Sequence, residues 1–86
     1  ASAIGERLAR LASQEGQLLA VTHSPQVAAR GSQHYLIAKA SSGTVTKTSV
    51  MLLDHAGRQE EIARMLSGAT VTDEARAQAE RLLESV

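Results

Sequence analysis

The side chains available for a core constrain this chain more than any other feature. Tyr35 is its only aromatic residue among 86, and Phe and Trp are absent. A core must therefore come from Leu, Ile, Val, Ala and Met, in a chain short enough to hide only about 60–65% of its unfolded surface. Such a core is thin. We expect residues 1–86 to be one unit of a larger protein, with Ala1 at an internal boundary.

Charge and cysteine content exclude several classes of protein. Nine basic and nine acidic residues cancel, so the chain lacks the basic footprint of an independent nucleic-acid-binding module. Without cysteine, neither a disulfide framework nor a Cys-based metal site can form. The longest apolar runs, such as residues 18–21, have four residues, well short of the roughly 20 that a membrane span needs. We therefore expect no contact with a membrane.

The first half of the sequence predicts a helix, a strand and a second helix. Apolar residues recur at helical spacing over 3–14. The stretch "QLLAVTH" (17–23) contains four consecutive apolar residues, which is typical of a strand buried on both faces. Ser24 can then cap a short helix that has Pro25 at its first position and ends at Gly31.

The second half predicts a hairpin and two further helices. "HYLIAKA" (34–40) and "TVTKTSVML" (44–52) are strand candidates joined by the turn residues "SSG". A helix follows over 58–68, and a last helix begins with Thr72 as its N-cap. The predicted order is α-β-α-β-β-α-α, which places the chain in the α/β class.

His23 is the first candidate for chemistry. A side chain at the carboxyl end of a buried strand faces the crevice in which open α/β sheets bind ligands. Its imidazole can donate an N–H to a phosphate oxygen, but a structural histidine bonded to a backbone carbonyl is the commoner case at this spacing. Ser24 is a second candidate because helix N-termini attract anions. No glycine-rich phosphate loop accompanies these two residues.

The other ionisable candidates are expected to be structural. His34 and His55 are predicted to be solvated or to serve packing, and no histidine pair has the spacing of metal ligands. Glu60 and Glu61 are adjacent on a predicted helix, where neighbouring side chains point in different directions. We therefore expect a solvated acidic face and not a catalytic pair, and we predict no metal site.

Several strings of residues resemble a known family. They are "VTHSPQVAARG", "HYLIAK", "EEIARMLSG" and a following T-x-x-A-x-x-x-A-x-x-L helix. Together they resemble the C-terminal end of the RecN family of bacterial DNA repair proteins, which is related to the structural-maintenance-of-chromosomes (SMC) ATPases. "ASAIGERLARLA" is similar to the helix that follows the Walker B and D-loop region of that family. The resemblance covers nearly the whole chain, and Ser24 departs from it because the commoner form carries leucine there.

The resemblance implies a role for His23. In ABC-type ATPases, the histidine after the strand that follows Walker B is the switch, or H-loop, histidine. By position that residue is His23, which would contact the γ-phosphate of ATP and help orient the attacking water when two heads sandwich the nucleotide. Ser24 would be a weaker contact to the nucleotide. ATP and Mg²⁺ are thus implied for the full-length parent, and neither is expected to bind these residues alone.

The resemblance also implies partners and a setting. Residues 1–86 would be the C-terminal portion of a P-loop ATPase head, with the Walker A loop, the Walker B acid and the signature motif upstream. The head would act in recombinational repair of DNA double-strand breaks, in the cytoplasm at the nucleoid. Its partners would be the rest of the head, a second head in a homodimer, and DNA. Alone, the chain is expected to be inactive and to self-associate.

Two alternatives remain open at this point. The chain could be a small non-enzymatic α/β interaction module in which His23 is structural. It could also belong to the head of another SMC-like or ABC ATPase, which would share the histidine but not the "PQVAA" and "EIARML" strings.

Overall fold

The computed structural model describes residues 2–84, and within them it forms four helices and one hairpin. The elements are α1 (Ser2–Glu15), α2 (Pro25–Ala29), β1 (Tyr35–Ser42), β2 (Val45–Leu52), α3 (His55–Ser67) and α4 (Asp73–Glu84). This mixture of helices and strands confirms the predicted α/β class. None of the helices formed by the described residues is both long and apolar enough to cross a membrane.

The hairpin forms from the two predicted strands, but β1 continues through Ser41 and Ser42, so the turn lies at residues 43–44 and not at 41–43. β1 and β2 are antiparallel, with Tyr35 opposite Leu52 at the open end and Ser42 opposite Val45 beside the turn. The turn contains Gly43 at a φ of 62°, a left-handed conformation that costs glycine little because it has no Cβ.

The hairpin carries an uncovered apolar patch on one face. Cross-strand partners share a face of a sheet, and faces alternate along each strand. One face at the open end of the hairpin therefore carries the four side chains of the "hairpin patch", namely Tyr35, Ile37, Val50 and Leu52. Each of the four is 46–64% exposed within the described part of the chain.

The strand predicted at 17–23 is not formed, and that prediction is wrong for this structure. Residues 17–24 have no regular secondary structure, and Leu19 and Val21 are 83% and 87% exposed instead of buried. A strand needs a neighbour that accepts and donates its backbone hydrogen bonds. Within residues 2–84, the only two strands pair with each other, so 17–22 has no such neighbour. We call residues 17–22 the extended segment.

The core is thin, as the composition predicted. Its largest fully buried side chain is Ile62 of α3, and the other buried apolar residues are alanines. They are Ala29, Ala63, Ala75 and Ala79. Five partly buried residues pack against them, namely Ala28, Leu66, Val71, Leu82 and Leu83. The core therefore joins α2, α3 and α4, and the hairpin contributes nothing to it.

Side-chain caps set where α3 and α4 begin. The Gly57 N–H donates to Asp54 Oδ1 over 2.8 Å, so α3 begins at His55, three residues before the predicted start at 58. The Ala75 N–H donates to the Thr72 hydroxyl over 3.1 Å, which confirms the predicted start of α4. Asp, Ser and Thr caps satisfy amide groups that the first turn of a helix leaves without partners.

Candidate functional site

His23 lies between the extended segment and the N-cap of α2. Its side chain is exposed and makes no hydrogen bond with another of the residues that the structure describes. The Ser24 N–H donates to the Thr22 hydroxyl over 3.0 Å, and this side-chain-to-backbone turn spans His23. An exposed imidazole held at a turn can donate an N–H to an incoming anion.

Ser24 begins α2 as the sequence predicted. Its hydroxyl oxygen accepts the Val27 N–H over 3.4 Å, and Pro25 occupies the first helical position. The hydroxyl proton is directed to Gln26 Oε1 at 3.3 Å. The Ser24 hydroxyl is therefore already used twice within the helix start, which makes Ser24 a weaker candidate than His23 for contact with a ligand.

His23 and His34 border the same open groove of about 1260 Å³. The lining is mainly apolar and includes Leu8 of α1, Leu19 of the extended segment and Ile37 of β1. The structure thus brings two of the three histidines to one surface, whereas the sequence had suggested only His23 as a ligand contact.

The second histidine, His34, belongs to a group of ionisable residues on and beside α3. Burial lowers the pKa of His34, the positive charge of Arg58 lowers it further, and Glu61 acts in the opposite direction. Glu61 is only 9% exposed, and its carboxylate accepts the Arg64 Nε–H at 3.0 and 3.1 Å. The expectation that Glu61 belongs to a solvated face is therefore wrong, because Arg64 on the same helix neutralises it within the fold.

The remaining candidates are on the surface, as expected. His55 is exposed, and its Nε2 lies 2.9 Å from Glu80 Oε1. Glu60 is exposed and accepts the Arg76 Nε–H from α4 over 3.0 Å, an interaction that lowers the pKa of Glu60. Within residues 2–84, no group of three or more His, Cys, Asp or Glu side chains could hold a metal ion.

Arg58 is the residue that sequence reasoning missed. Its Nη2 donates to the carbonyl oxygens of Ala28 and Gly31 at 3.2 and 2.8 Å, which joins α3 to the end of α2. These partners precede Arg58 by 30 and 27 residues, so no local pattern in the sequence marks them. In the local sequence, "RQEE" (58–61) contains only charged and polar residues, which is typical of a solvent-exposed turn of a helix.

The fold and the site together define a small α/β unit that displays an exposed histidine just before a capped helix. No protein-family model matches the chain. The DNA repair protein RecN of Xylella fastidiosa (strain Temecula1) is 45% identical to it over 86 residues, 100% of the chain. RecN of Streptomyces coelicolor is 46% identical over 82 residues, or 95% of the chain. RecN of Rickettsia prowazekii is 42% identical over all 86 residues.

The chain is therefore similar over its whole length to the C-terminal part of RecN DNA repair proteins. It spans about 15% of the length of the Xylella relative and 14% of the Streptomyces relative.

Proposed function

We propose that this chain is the part of a RecN-type DNA repair ATPase that supplies the switch histidine, His23. The observation that carries the proposal is the position of His23, whose exposed imidazole lies at the turn between the extended segment and α2. The names of the relatives support a role in DNA repair, and the similarity extends over the whole chain. Such a protein would act in the cytoplasm, at the nucleoid.

The chemistry proposed for His23 is hydrogen-bond donation to a phosphoryl group. In phosphoryl transfer, negative charge is spread over the oxygens of the transferred group, and positioned donors stabilise it. An imidazole N–H within about 3 Å of a γ-phosphate oxygen would supply one such donor and would help to position the attacking water. Because the single hydroxyl proton of Ser24 is already donated to Gln26 Oε1, Ser24 takes a secondary role toward a phosphate oxygen.

The rest of the ATPase site would come from other parts of the longer protein. Mg²⁺ would neutralise charge on the nucleotide phosphates when bound. No group of three or more His, Cys, Asp or Glu side chains among the described residues could hold this ion, so its ligands would come from other parts of the longer protein. A second head and DNA are the proposed partners of the longer protein. The 86 residues alone are expected to hydrolyse no ATP, since a phosphate cradle is lacking from the sequence.

The extended segment would become a strand in that setting. Leu18, Leu19 and Val21 are all at least 40% exposed here, and an apolar run of this kind favours a sheet covered on both faces. A neighbouring strand from the longer protein would bring His23 to the edge of the sheet, where it would face the nucleotide.

The test is a His23→Ala substitution in a RecN-length protein that carries this sequence. We expect kcat for ATP hydrolysis to fall by about 10²- to 10³-fold, the loss typical when one transition-state donor is removed. The Kd for ATP should change little, because the donor acts mainly on the charge that develops during transfer. Steady-state phosphate release and equilibrium nucleotide binding measure the two quantities.

The matched control is His55→Ala, which removes an exposed imidazole on another element. It should leave both kcat and Kd close to those of the unsubstituted protein. An unchanged kcat in the His23→Ala protein would contradict the proposal and would favour the non-enzymatic interaction module.

A further inference from the structure

The short helix α2 cannot hold its position by itself. It has five residues, far fewer than the roughly 12–15 at which an isolated helix becomes even marginally stable in water. Its orientation must therefore come from contacts with other elements. Since α2 begins two residues after His23, those contacts also determine where the imidazole lies.

One side of α2 is fixed by close approach to α1. A Cβ added at Gly5 of α1 would lie 2.9 Å from the Arg30 Cγ and 3.3 Å from the Gln26 carbonyl oxygen. Gly5 is buried, and α1 therefore approaches α2 more closely than a residue with a side chain would allow. This contact limits the movement of α2 toward α1, and Arg30, the C-cap of α2, also donates from Nη2 to Glu6 Oε1 of α1 over 3.3 Å.

The other side of α2 is held by Arg58. The guanidinium Nη2 donates to the Ala28 and Gly31 carbonyl oxygens, at the point where α2 ends. The Ala28 oxygen also accepts the Gly31 N–H at 3.3 Å, so Arg58 and the backbone close the same turn. Arg58 is half-buried, where its two hydrogen bonds are protected from competition with water.

We infer that Arg58 is a positioning residue for His23. By holding both carbonyl oxygens at the end of α2, it fixes that helix against α3 and thereby fixes the turn that carries the imidazole. The inference rests on the proposed function of His23, and it adds a residue that lies 35 positions further along the chain. Arg58 itself contacts no nucleotide in this account.

Both hydrogen bonds come from one guanidinium nitrogen, Nη2, and the buried Nε has no hydrogen-bond partner among the described residues. A guanidinium presents several donors in a fixed geometry, whereas a lysine ammonium is a compact charge on a flexible stem. Lysine at position 58 would keep a charged donor but on a stem that no rigid plane orients, and glutamine would offer a shorter, uncharged donor. The turn at the end of α2 should therefore be held most firmly with arginine at position 58, less firmly with lysine and least firmly with glutamine.

The test compares Arg58→Gln and Arg58→Lys in a RecN-length protein that carries this sequence. A misplacement of about 1 Å can cost up to about 10²-fold in rate, so kcat for ATP hydrolysis should fall about 10- to 100-fold in Arg58→Gln. Arg58→Lys should recover part of that loss. The Kd for ATP should stay within about twofold, because a positioning defect acts on the reacting geometry.

A double-substitution cycle with His23→Ala separates positioning from general damage. Groups that act as one unit are strongly non-additive, so adding Arg58→Gln to His23→Ala should cause almost no further loss of kcat. The control is Arg76→Gln, which removes a partly exposed arginine bonded to Glu60 and Asp73 and should leave kcat unchanged. If Arg58→Gln fails to give a cooperative thermal transition, the same cycle is run with Arg58→Lys.

The outcomes distinguish this inference from the proposed function. A full additive loss in the double variant, or an unchanged kcat in both Arg58 variants, would overturn the positioning role while His23→Ala still lowers kcat. An unchanged kcat in His23→Ala alone would instead overturn the proposed function.

Discussion

The surroundings of His34 favour the neutral form of its imidazole. Burial and the neighbouring charge of Arg58 both lower its pKa, and Glu61, the group that opposes them, is already paired with Arg64. The backbone is fixed as well, since the His34 carbonyl oxygen accepts the Leu53 N–H at 2.9 Å just beyond the hairpin. Protonation would therefore place a second positive charge near Arg58, which disfavours the charged imidazole.

This arrangement predicts a pH dependence of stability. Because the pKa of His34 is lower in the folded chain, the unfolded chain binds more protons as the pH falls through the ordinary histidine range near 6.5. The free energy of unfolding should thus be highest above that range and should decline as the pH falls toward the lowered pKa. Urea unfolding of the 86-residue chain at pH values between about 7.5 and 5 measures this slope.

His34→Gln should flatten the slope, because glutamine keeps a polar side chain but does not titrate. The prediction is contradicted if His34→Gln retains the whole pH dependence of the unsubstituted chain over that range.

At the scale of elements, the molecule divides into a packed part and an uncovered part. α2, α3 and α4 share the alanine-rich core, whereas the hairpin and the extended segment leave most of their apolar side chains exposed. A two-stranded hairpin is at best marginally stable in water by itself. Exposed apolar patches and unpaired strand edges recruit partners. The uncovered elements are therefore the part of the chain that should determine its association.

The isolated chain is accordingly expected to self-associate through the hairpin patch. Sedimentation equilibrium over a wide concentration range should show a weight-average mass that rises above the monomer mass of 9.1 kDa. Val50→Lys places a charge in the patch and should weaken the association, whereas Thr46→Lys, on the same face near the turn, should not. A monomer at every concentration, with a cooperative thermal transition, would contradict this prediction.

The elements with local signals were predictable from the sequence. Ser24, Gly43 and Thr72 mark helix starts and a turn through the chemistry of a few adjacent residues, and the structure places them as expected. The early start of α3 was missed because Asp54 could equally belong to a turn. The strand at 17–23 was predicted from its apolar run, but a strand forms only where a neighbour pairs with it.

In the candidate site, too, the residues marked by local sequence features were predictable and those that depend on distant contacts were not. His23 was found because it follows an apolar run and precedes a helix start, both of which are local features. Arg58 and the buried state of Glu61 depend on contacts between elements far apart in the sequence, and residue type alone predicts a solvated surface for both. Long-range hydrogen bonds of this kind become visible only when the fold is known.

At the scale of the whole molecule, the chain is a small part of the proteins that it resembles. It spans about 15% of the Xylella RecN, and its groove and hairpin patch expose much of its apolar surface. Both features support the proposal that the chain completes a larger ATPase head. In that account, the longer protein covers the apolar surface and supplies the nucleotide, while α2, held by Arg58, presents His23.

The most direct test of this account is a structure of a RecN-length protein that carries this sequence, with Mg²⁺ and a non-hydrolysable ATP analogue bound. The quantity to measure is the distance from the nearer imidazole nitrogen of His23 to the γ-phosphate oxygens. The account predicts a hydrogen bond of about 2.7–3.2 Å, with residues 17–22 paired as a strand. An imidazole that points away from the nucleotide, or that is bonded to a backbone carbonyl in the closed head dimer, would contradict it.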